Sequence, residues 1–317
     1  MEKKEELALA KHNQNLLGDF VEYLKADIAN GDAADDTLTV YFNQLYLFLL
    51  WCQENNFHPA EIDRNVIKDY RKYLIDQGMR STTIKLKLIV VKRFFDCAVE
   101  RNFIKVNPAK GVVAPRDRQA RLKGIQNYLT EEEASLLFQS IPKQSPEKYD
   151  RARAIIGLMA LEGLRTIEVH RMNIEDINFS RGEIYVHGKG HDDYIYPRDD
   201  TLDILEQHLS RQEKIPRDDQ GTPAFVSLSN NKNGHRLSRT AIRDIVDGCL
   251  TAAGLKKPGL SCHCLRHTCG TLLYRATKDL RIVQETLRHQ SPTVTSLYAH
   301  IIRKEEEKAT EKIHLKL

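Results

Sequence analysis

A break at Asn107-Pro108 separates two stretches of different periodicity, and it limits the fold of this chain more than any other feature. Proline disfavours a helical residue before it, so no helix runs through Asn107. Upstream, apolar residues recur at helical spacing. Ile84, Leu88, Val91 and Phe95 fall at i, i+4, i+7 and i+11, which is one face of one helix. Ser81 or Thr82 is its expected N-cap. Leu16, Phe20 and Tyr23-Leu24 mark a first helix, Leu38 to Trp51 a second and Val66 to Ile75 a third. Residues 1–106 are therefore expected to form a compact four-helix unit.

Beyond the break, Lys110 to Gln126 interleaves Gly111, Pro115 and Gly124 with basic residues, so residues 107–127 read as an extended basic linker. Thr130 opens a new helix. Glu133, three residues on, completes a capping box, and Leu136, Leu137 and Ile141 form the apolar side. The unit from 128 to 317 is mixed. A buried helix from Ala152 to Leu161 is ended by Gly163. Short strands are expected at Ile174–Ile177, Ile184–Val186 and Tyr194–Tyr196, with a hairpin turn over His187–Asp192. Helices return after Thr201, after Ser238 and from His263. The expected class is mainly α with a small β-sheet (α+β).

A chain of 317 residues holds about two domains. At 41% hydrophobic it can bury a real core. Runs such as Ile155 to Leu161 are too short to cross a bilayer, and no secretory segment follows Met1. A soluble, cytoplasmic protein with no membrane partner is expected. Under that expectation the six scattered cysteines form no disulfide framework. Cys262 and Cys264 flank a single residue, which does not suit structural zinc, so neither metal nor other cofactor is expected.

Charge is uneven. Residues 80–128 carry twelve basic and three acidic side chains, a local +9 in a chain whose net formal charge is +4. A basic block in a nearly neutral chain points to a polyanion. Lys85, Lys87, Lys92 and Arg93 on the fourth helix, and Arg116, Arg118 and Arg121 in the linker, are the candidate phosphate contacts.

The reactive side chains lie further on. Gly163-Leu164-Arg165-Thr166-Ile167-Glu168 comes first, then the turn His187-Gly188-Lys189-Gly190. His263-Cys264-Leu265-Arg266-His267, Leu287-Arg288-His289 and Tyr298 follow. Two guanidinium groups, two imidazoles, an ammonium and a phenol suit nucleophilic attack on a phosphodiester. Always-charged, forked donors neutralise the phosphate. A phenol of pKa near 10 attacks once activated. Lysine and histidine move protons.

The ordered set Arg165, Lys189, His263, Arg266, His289 and Tyr298 resembles the tyrosine recombinase (phage-integrase/Xer-like) family, across both units. The resemblance implies an N-terminal SAM-like core-binding domain and a C-terminal catalytic domain. It implies a site-specific DNA recombinase that works through a 3′-phosphotyrosine on Tyr298, within Leu297-Tyr298-Ala299-His300. Arg165 and Arg266 would hold the phosphate and lower the pKa of Tyr298, or an imidazole would take its proton. Lys189 would be the general acid, His263 an acid–base group, and His289 a donor to a non-bridging oxygen. Glu168 would orient its neighbours, and His267 would support the helix rather than touch substrate. Arg288 stands where the family usually has glycine. It adds a bulky cation beside the site that could contact DNA.

The implied partners are a double-stranded DNA recombination site, a homotetramer on two synapsed sites, and accessory DNA-bending proteins. The two units would clamp the duplex, with the linker crossing its backbone, at the nucleoid. The tail after Arg303 would dock on a neighbouring subunit through Ile313, Leu315 and Leu317, or fold back on its own. The start of the helical unit near Met1 favours a simple Xer-type or transposon integrase of a mobile element. The rival readings are a type IB topoisomerase, disfavoured by His263, a catalytically silent DNA-binding regulator, and a zinc-dependent binding module.

Overall fold

The computed structural model describes residues 18–25, 35–116, 127–143, 145–188, 192–212, 216–229, 234–289, 298–299 and 302. The expectations for Lys189, Arg118, Arg121 and the tail after Arg303 lie outside these residues. The chain divides into two units, Met1–Arg118 and Gln119–Leu317.

The first unit is helical: α1 (18–25), α2 (Asp35–Glu54), α3 (Arg64–Asp76) and α4 (Ser81–Glu100). Asp63 caps α3, its Oδ1 accepting from the N–H groups of Asn65 and Val66 at 2.8 and 3.0 Å. Helix α4 begins with Arg80 at the N-cap and no side-chain cap, so neither Ser81 nor Thr82 caps it. Ile84, Leu88, Val91 and Phe95 are buried, and α4 packs on α2 and α3. Phe48, Trp51 and Tyr70 form the aromatic centre, with Tyr70 4.9 Å from both other rings.

The start of the expected linker belongs to this unit. Asn107 donates through Nδ2 to Lys92 O at 2.9 Å and to Asp96 Oδ1 at 2.7 Å, and its Oδ1 accepts from Ala109 N. Ala109 is buried in the same core. Lys85, Lys92 and Arg116 are exposed and Arg93 is half-buried. Lys87 corrects the sequence reading. It lies three residues after Ile84, on the apolar stripe, and is only 5% exposed. Burial lowers its pKa. It is a core-edge lysine, not a surface phosphate contact.

The second unit is built round α6 (Pro146–Ala160), whose residues Ala154 to Ala160 are all buried. Helices α5 (Glu131–Gln139), α8 (Asp199–Ser210), α9 (Arg239–Ala252) and α10 (His263–Thr277) pack on it. Two short helices, α7 (Thr166–Arg171) and α11 (Leu280–Thr286), carry site residues at their ends. Thr130 and Glu133 form the capping box of α5, with bonds of 3.2 and 3.0 Å.

Three antiparallel strands, β1 (Ile177–Asn178), β2 (Glu183–Val186) and β3 (Asp193–Ile195), lie in sequence order. Ile184 pairs with Ile177 on one side and Ile195 on the other. The expected strand over Ile174–Ile177 is only half right. Asp176 Oδ2 accepts from Asn173 N at 2.8 Å and winds Ile174–Asp176 into one 3-10 turn. Among the described residues no helix is long and apolar enough to cross a membrane. All six cysteines are free and buried.

Candidate active site

A tight turn delivers the first arginine. Gly163, at φ 66°, follows the end of α6 in a conformation that favours glycine. A Cβ there would collide with the side chain of Leu287. Arg165 then stands at the N-cap of α7, and Glu168 sits three residues on, at N3.

Glu168 is the hub. It is 1% exposed. Its Oε2 accepts from Arg165 N at 2.8 Å, and its Oε1 from Arg165 Nη1 at 2.6 Å. Arg288 Nη2 donates to Oε2 at 2.8 Å, and Arg266 Nη1 lies 3.9 Å from it. Burial pushes the Glu168 carboxyl up. Arg288 first, then the Arg165 N–H and guanidinium, outweigh burial and hold it below the usual carboxylate range.

Arg266 lies one turn into α10 and is 6% exposed. Its Nη1 donates to Gly163 O and its Nη2 to Leu287 O, so two carbonyls fix the fork. Burial, with Arg165 beside it, lowers its pKa to about 10. It therefore stays cationic at neutral pH. His263 is exposed at the start of α10. Partial desolvation still lowers its pKa, and Arg243, Arg266 and Arg165 lower it further.

Tyr298 is 1% exposed, in a small apolar cluster with Cys269, Val283 and Leu287. Gly270 makes room for it. A Cβ there would lie 2.8 Å from Tyr298 Cζ and 2.7 Å from Leu287 Cδ1. His289 stacks on the phenol, with centroids 6.4 Å apart and planes 4° apart. Nδ1 of His267 is 3.1 Å from the Tyr298 hydroxyl. The expected pull of a neighbouring cation on the phenol is present, from Arg266, but it does not set the net shift. Burial dominates, the opposing pull of Arg266 is smaller, and the pKa rises to about 12. Burial also lowers His267 and His289 to about 4, with His263 and then Arg266 adding to the first shift and Arg266 and then Arg165 to the second.

The structure thus gathers Arg165, Glu168, Arg266, His289 and Tyr298, with the exposed His263 within the field of both arginines. Two residues take other places than expected: His267, expected only to support its helix, meets the Tyr298 hydroxyl, and Arg288, expected beside the site as a DNA contact, meets Glu168. His267 carried a signal, because it lies four residues after His263 and so on the same side of α10. Arg288 turns inward to Glu168, with its side chain 10% exposed.

The region 127–305 matches the phage integrase family, and residues 19–113 match the phage integrase SAM-like domain. The tyrosine recombinase XerC of Thermodesulfovibrio yellowstonii is 30% identical over 298 residues, 92% of this chain and 93% of its own length. The tyrosine recombinase XerD of Vibrio vulnificus is 26% identical over 92% of this chain and 93% of its own. Two solved structures share the fold. One is the XerH site-specific recombinase bound to a palindromic difH substrate in a post-cleavage complex. It has a TM-score of 0.74 and 21% identity, over 95% of this chain and 96% of that one. The other is a lambda integrase tetramer bound to a Holliday junction, with a TM-score of 0.67 and 18% identity, over 91% of this chain and 79% of that one. Fold and sequence together define a tyrosine-type site-specific DNA recombinase. The chain belongs to the phage integrase family.

Proposed function

We propose that the chain cuts and rejoins double-stranded DNA at a specific site through a 3′-phosphotyrosine on Tyr298. The observation that carries this reading is the shared carboxylate. Glu168 ties Arg165 to the neighbourhood of Arg266, and Arg266 acts electrostatically on Tyr298. In the reaction, Tyr298 Oη attacks phosphorus and the bond to the 5′-oxygen breaks. That oxygen leaves with a proton, for which Lys189 is the proposed donor. The reverse attack by a 5′-hydroxyl rejoins the strand, so the bond energy is kept in the ester.

Arg165 and Arg266 face the charge that grows on the non-bridging oxygens. A preorganised donor of this kind is worth roughly 10²–10³ in rate. His289 and His263 are proposed to donate to the same oxygens or to relay protons. The buried phenol is not poised for attack as it stands. A phenol of pKa about 12 faces a His267 of pKa about 4, so proton transfer between them is steeply uphill. The phenol is also buried, and the phosphate must meet it in a more open arrangement.

The helical unit, residues 1–106, is proposed to grip the duplex through Lys85, Lys92 and Arg93. The segment 107–127 would add Arg116, Arg118 and Arg121. Such contacts position more than they specify, and they weaken steeply with salt. Two DNA sites held by four copies, at the nucleoid, with the tail after Arg303 docked on a neighbour, complete the proposal. DNA-bending accessory proteins would assist synapsis.

Sequencing DNA recovered on the protein gives the site. A nicked duplex of that sequence should then trap a covalent complex with the wild type and none with Tyr298→Phe. Capture by the mutant refutes the assignment.

A further inference from the structure

Arg288 occupies an unexpected backbone position. Helix α11 ends in a Schellman turn, in which His289 N donates to Gln284 O at 3.0 Å and Arg288 N donates to Glu285 O at 2.9 Å. Arg288 is the C′ residue of that turn, at φ 50°. This is the left-handed region, which glycine fills without a side-chain penalty and arginine does not. A bulky residue held there needs a compensating interaction.

The compensation is the buried carboxylate. Arg288 Nη2 meets Glu168 Oε2 at 2.8 Å, and Nη1 donates to Thr286 O at 3.0 Å. The Arg288 carbonyl accepts from Arg165 Nη2 at 3.3 Å. Arg288 therefore touches the Arg165–Glu168 pair from both its backbone and its side chain. Its Nε is buried and has no hydrogen-bond partner among the described residues. Charge makes the same point. Arg165, Arg266 and Arg288 surround one carboxylate, so among the described residues the cluster keeps two positive charges beyond that of Glu168. A phosphodiester carries one negative charge, and its pentacoordinate transition state carries two.

We propose that Arg288 is a positioning residue of the phosphate site: it clamps Glu168, thereby fixes Arg165, and supplies the second excess positive charge that matches the transition state. This rests on the strand-transfer reading above. The site is therefore a three-arginine cluster, and the left-handed strain at residue 288 is offset by the ion pair that the strained residue makes. Arg288 reaches the reaction through Glu168 and through its field, not through a surface contact with DNA.

The test uses the full-length protein with Arg288→Gly and Arg288→Lys. Glycine suits the backbone at 288, so the first variant folds, and its melting temperature checks this. On a nicked duplex with an ordinary scissile phosphodiester, covalent capture by Arg288→Gly should be slower by about tenfold or more. Arg288→Lys should recover part of that loss. On the same duplex with a neutral scissile methylphosphonate, the deficit of Arg288→Gly should shrink towards one, because less charge develops. An equal deficit on both substrates, or none on either, overturns the proposal.

A second measurement needs no DNA. Inorganic sulfate, a tetrahedral dianion, should raise the melting temperature of the wild type more than that of Arg288→Gly. General salt exclusion acts on both proteins alike and cancels in the comparison. Equal sulfate responses contradict the proposal. Failure of the wild type to capture DNA counts against the strand-transfer reading instead, and the sulfate comparison still decides the role of Arg288.

Discussion

The Tyr298 hydroxyl lies 3.1 Å from Nδ1 of His267, one turn along α10 from His263. This bond joins the proposed nucleophile to the helix that carries Arg266, and it satisfies a buried hydroxyl. His267→Phe removes the partner and leaves that hydroxyl orphaned. Urea unfolding should show a loss of about 1–3 kcal/mol, whereas His267→Gln, which can still hydrogen-bond, should lose less. Equal losses would show that the contact is packing alone.

Gly270 tests how the phenol is housed. An alanine Cβ there would sit 2.8 Å from Tyr298 Cζ. Overpacking of this kind costs about 1–3 kcal/mol, and both the Leu287 side chain and the Tyr298 ring must shift to relieve it. In Gly270→Ala the thermal midpoint should fall. Spectrophotometric titration should also show one tyrosine moving from about pH 12 towards its ordinary value. A wild-type titration curve in the mutant would contradict this packing.

Glu168→Gln keeps the shape and removes the charge. Three arginines lose their common anion, and breaking a buried ion pair costs about 3–5 kcal/mol. Stability and covalent capture should both drop. Capture should fall further than in a surface control such as Glu61→Gln. A variant with wild-type stability would remove Glu168 from the centre of the site.

Acid should destabilise the second unit selectively. His208, His267 and His289 have folded pKa values of about 4, against an ordinary value near 6.5. The neutral ring is the native form, so the unfolded chain binds protons first. Stability is full above about pH 6.5 and is lost as pH falls towards 4. Glu168, held low by its arginines, adds to the loss below the ordinary carboxylate range. For His208, which is buried, this amounts to at most about 3 kcal/mol across that window, and the partly exposed His267 and His289 contribute less because solvent screens them. Thermal scans from pH 7 to pH 4 should therefore slope downwards, and more gently in His289→Asn. A flat profile would mean that these rings open to water before they titrate.

Sequence legibility followed the range of the interactions. Helices of the first unit were legible because Ile84, Leu88, Val91 and Phe95 repeat at a local spacing that packing then rewards. The box of Thr130 and Glu133 was legible for the same reason, since both partners lie within one turn. Lys87 was misread because charge suggested the surface, while its place three residues after Ile84 put it on the buried stripe. The turn at Ile174 was missed because an apolar pair looks like a strand until Asp176 reaches back to Asn173. The phosphate-binding set was legible as an ordered list of residue types. Its centre was not, because the meeting of Arg288 with Glu168 spans 120 residues and leaves no local pattern. The raised pKa of Tyr298 comes likewise from burial by Leu287, Cys269 and Gly270, none of which carries charge.

The most direct measurement is identification of the residue that carries DNA. The wild-type protein would be trapped on a nicked duplex of its own site and digested with protease, and the nucleotide-bearing peptide would be sequenced by mass spectrometry. A 3′-phosphate linked to the oxygen of Tyr298 is the predicted result. A linkage to any other residue, or a 5′-phosphate linkage, would contradict the account.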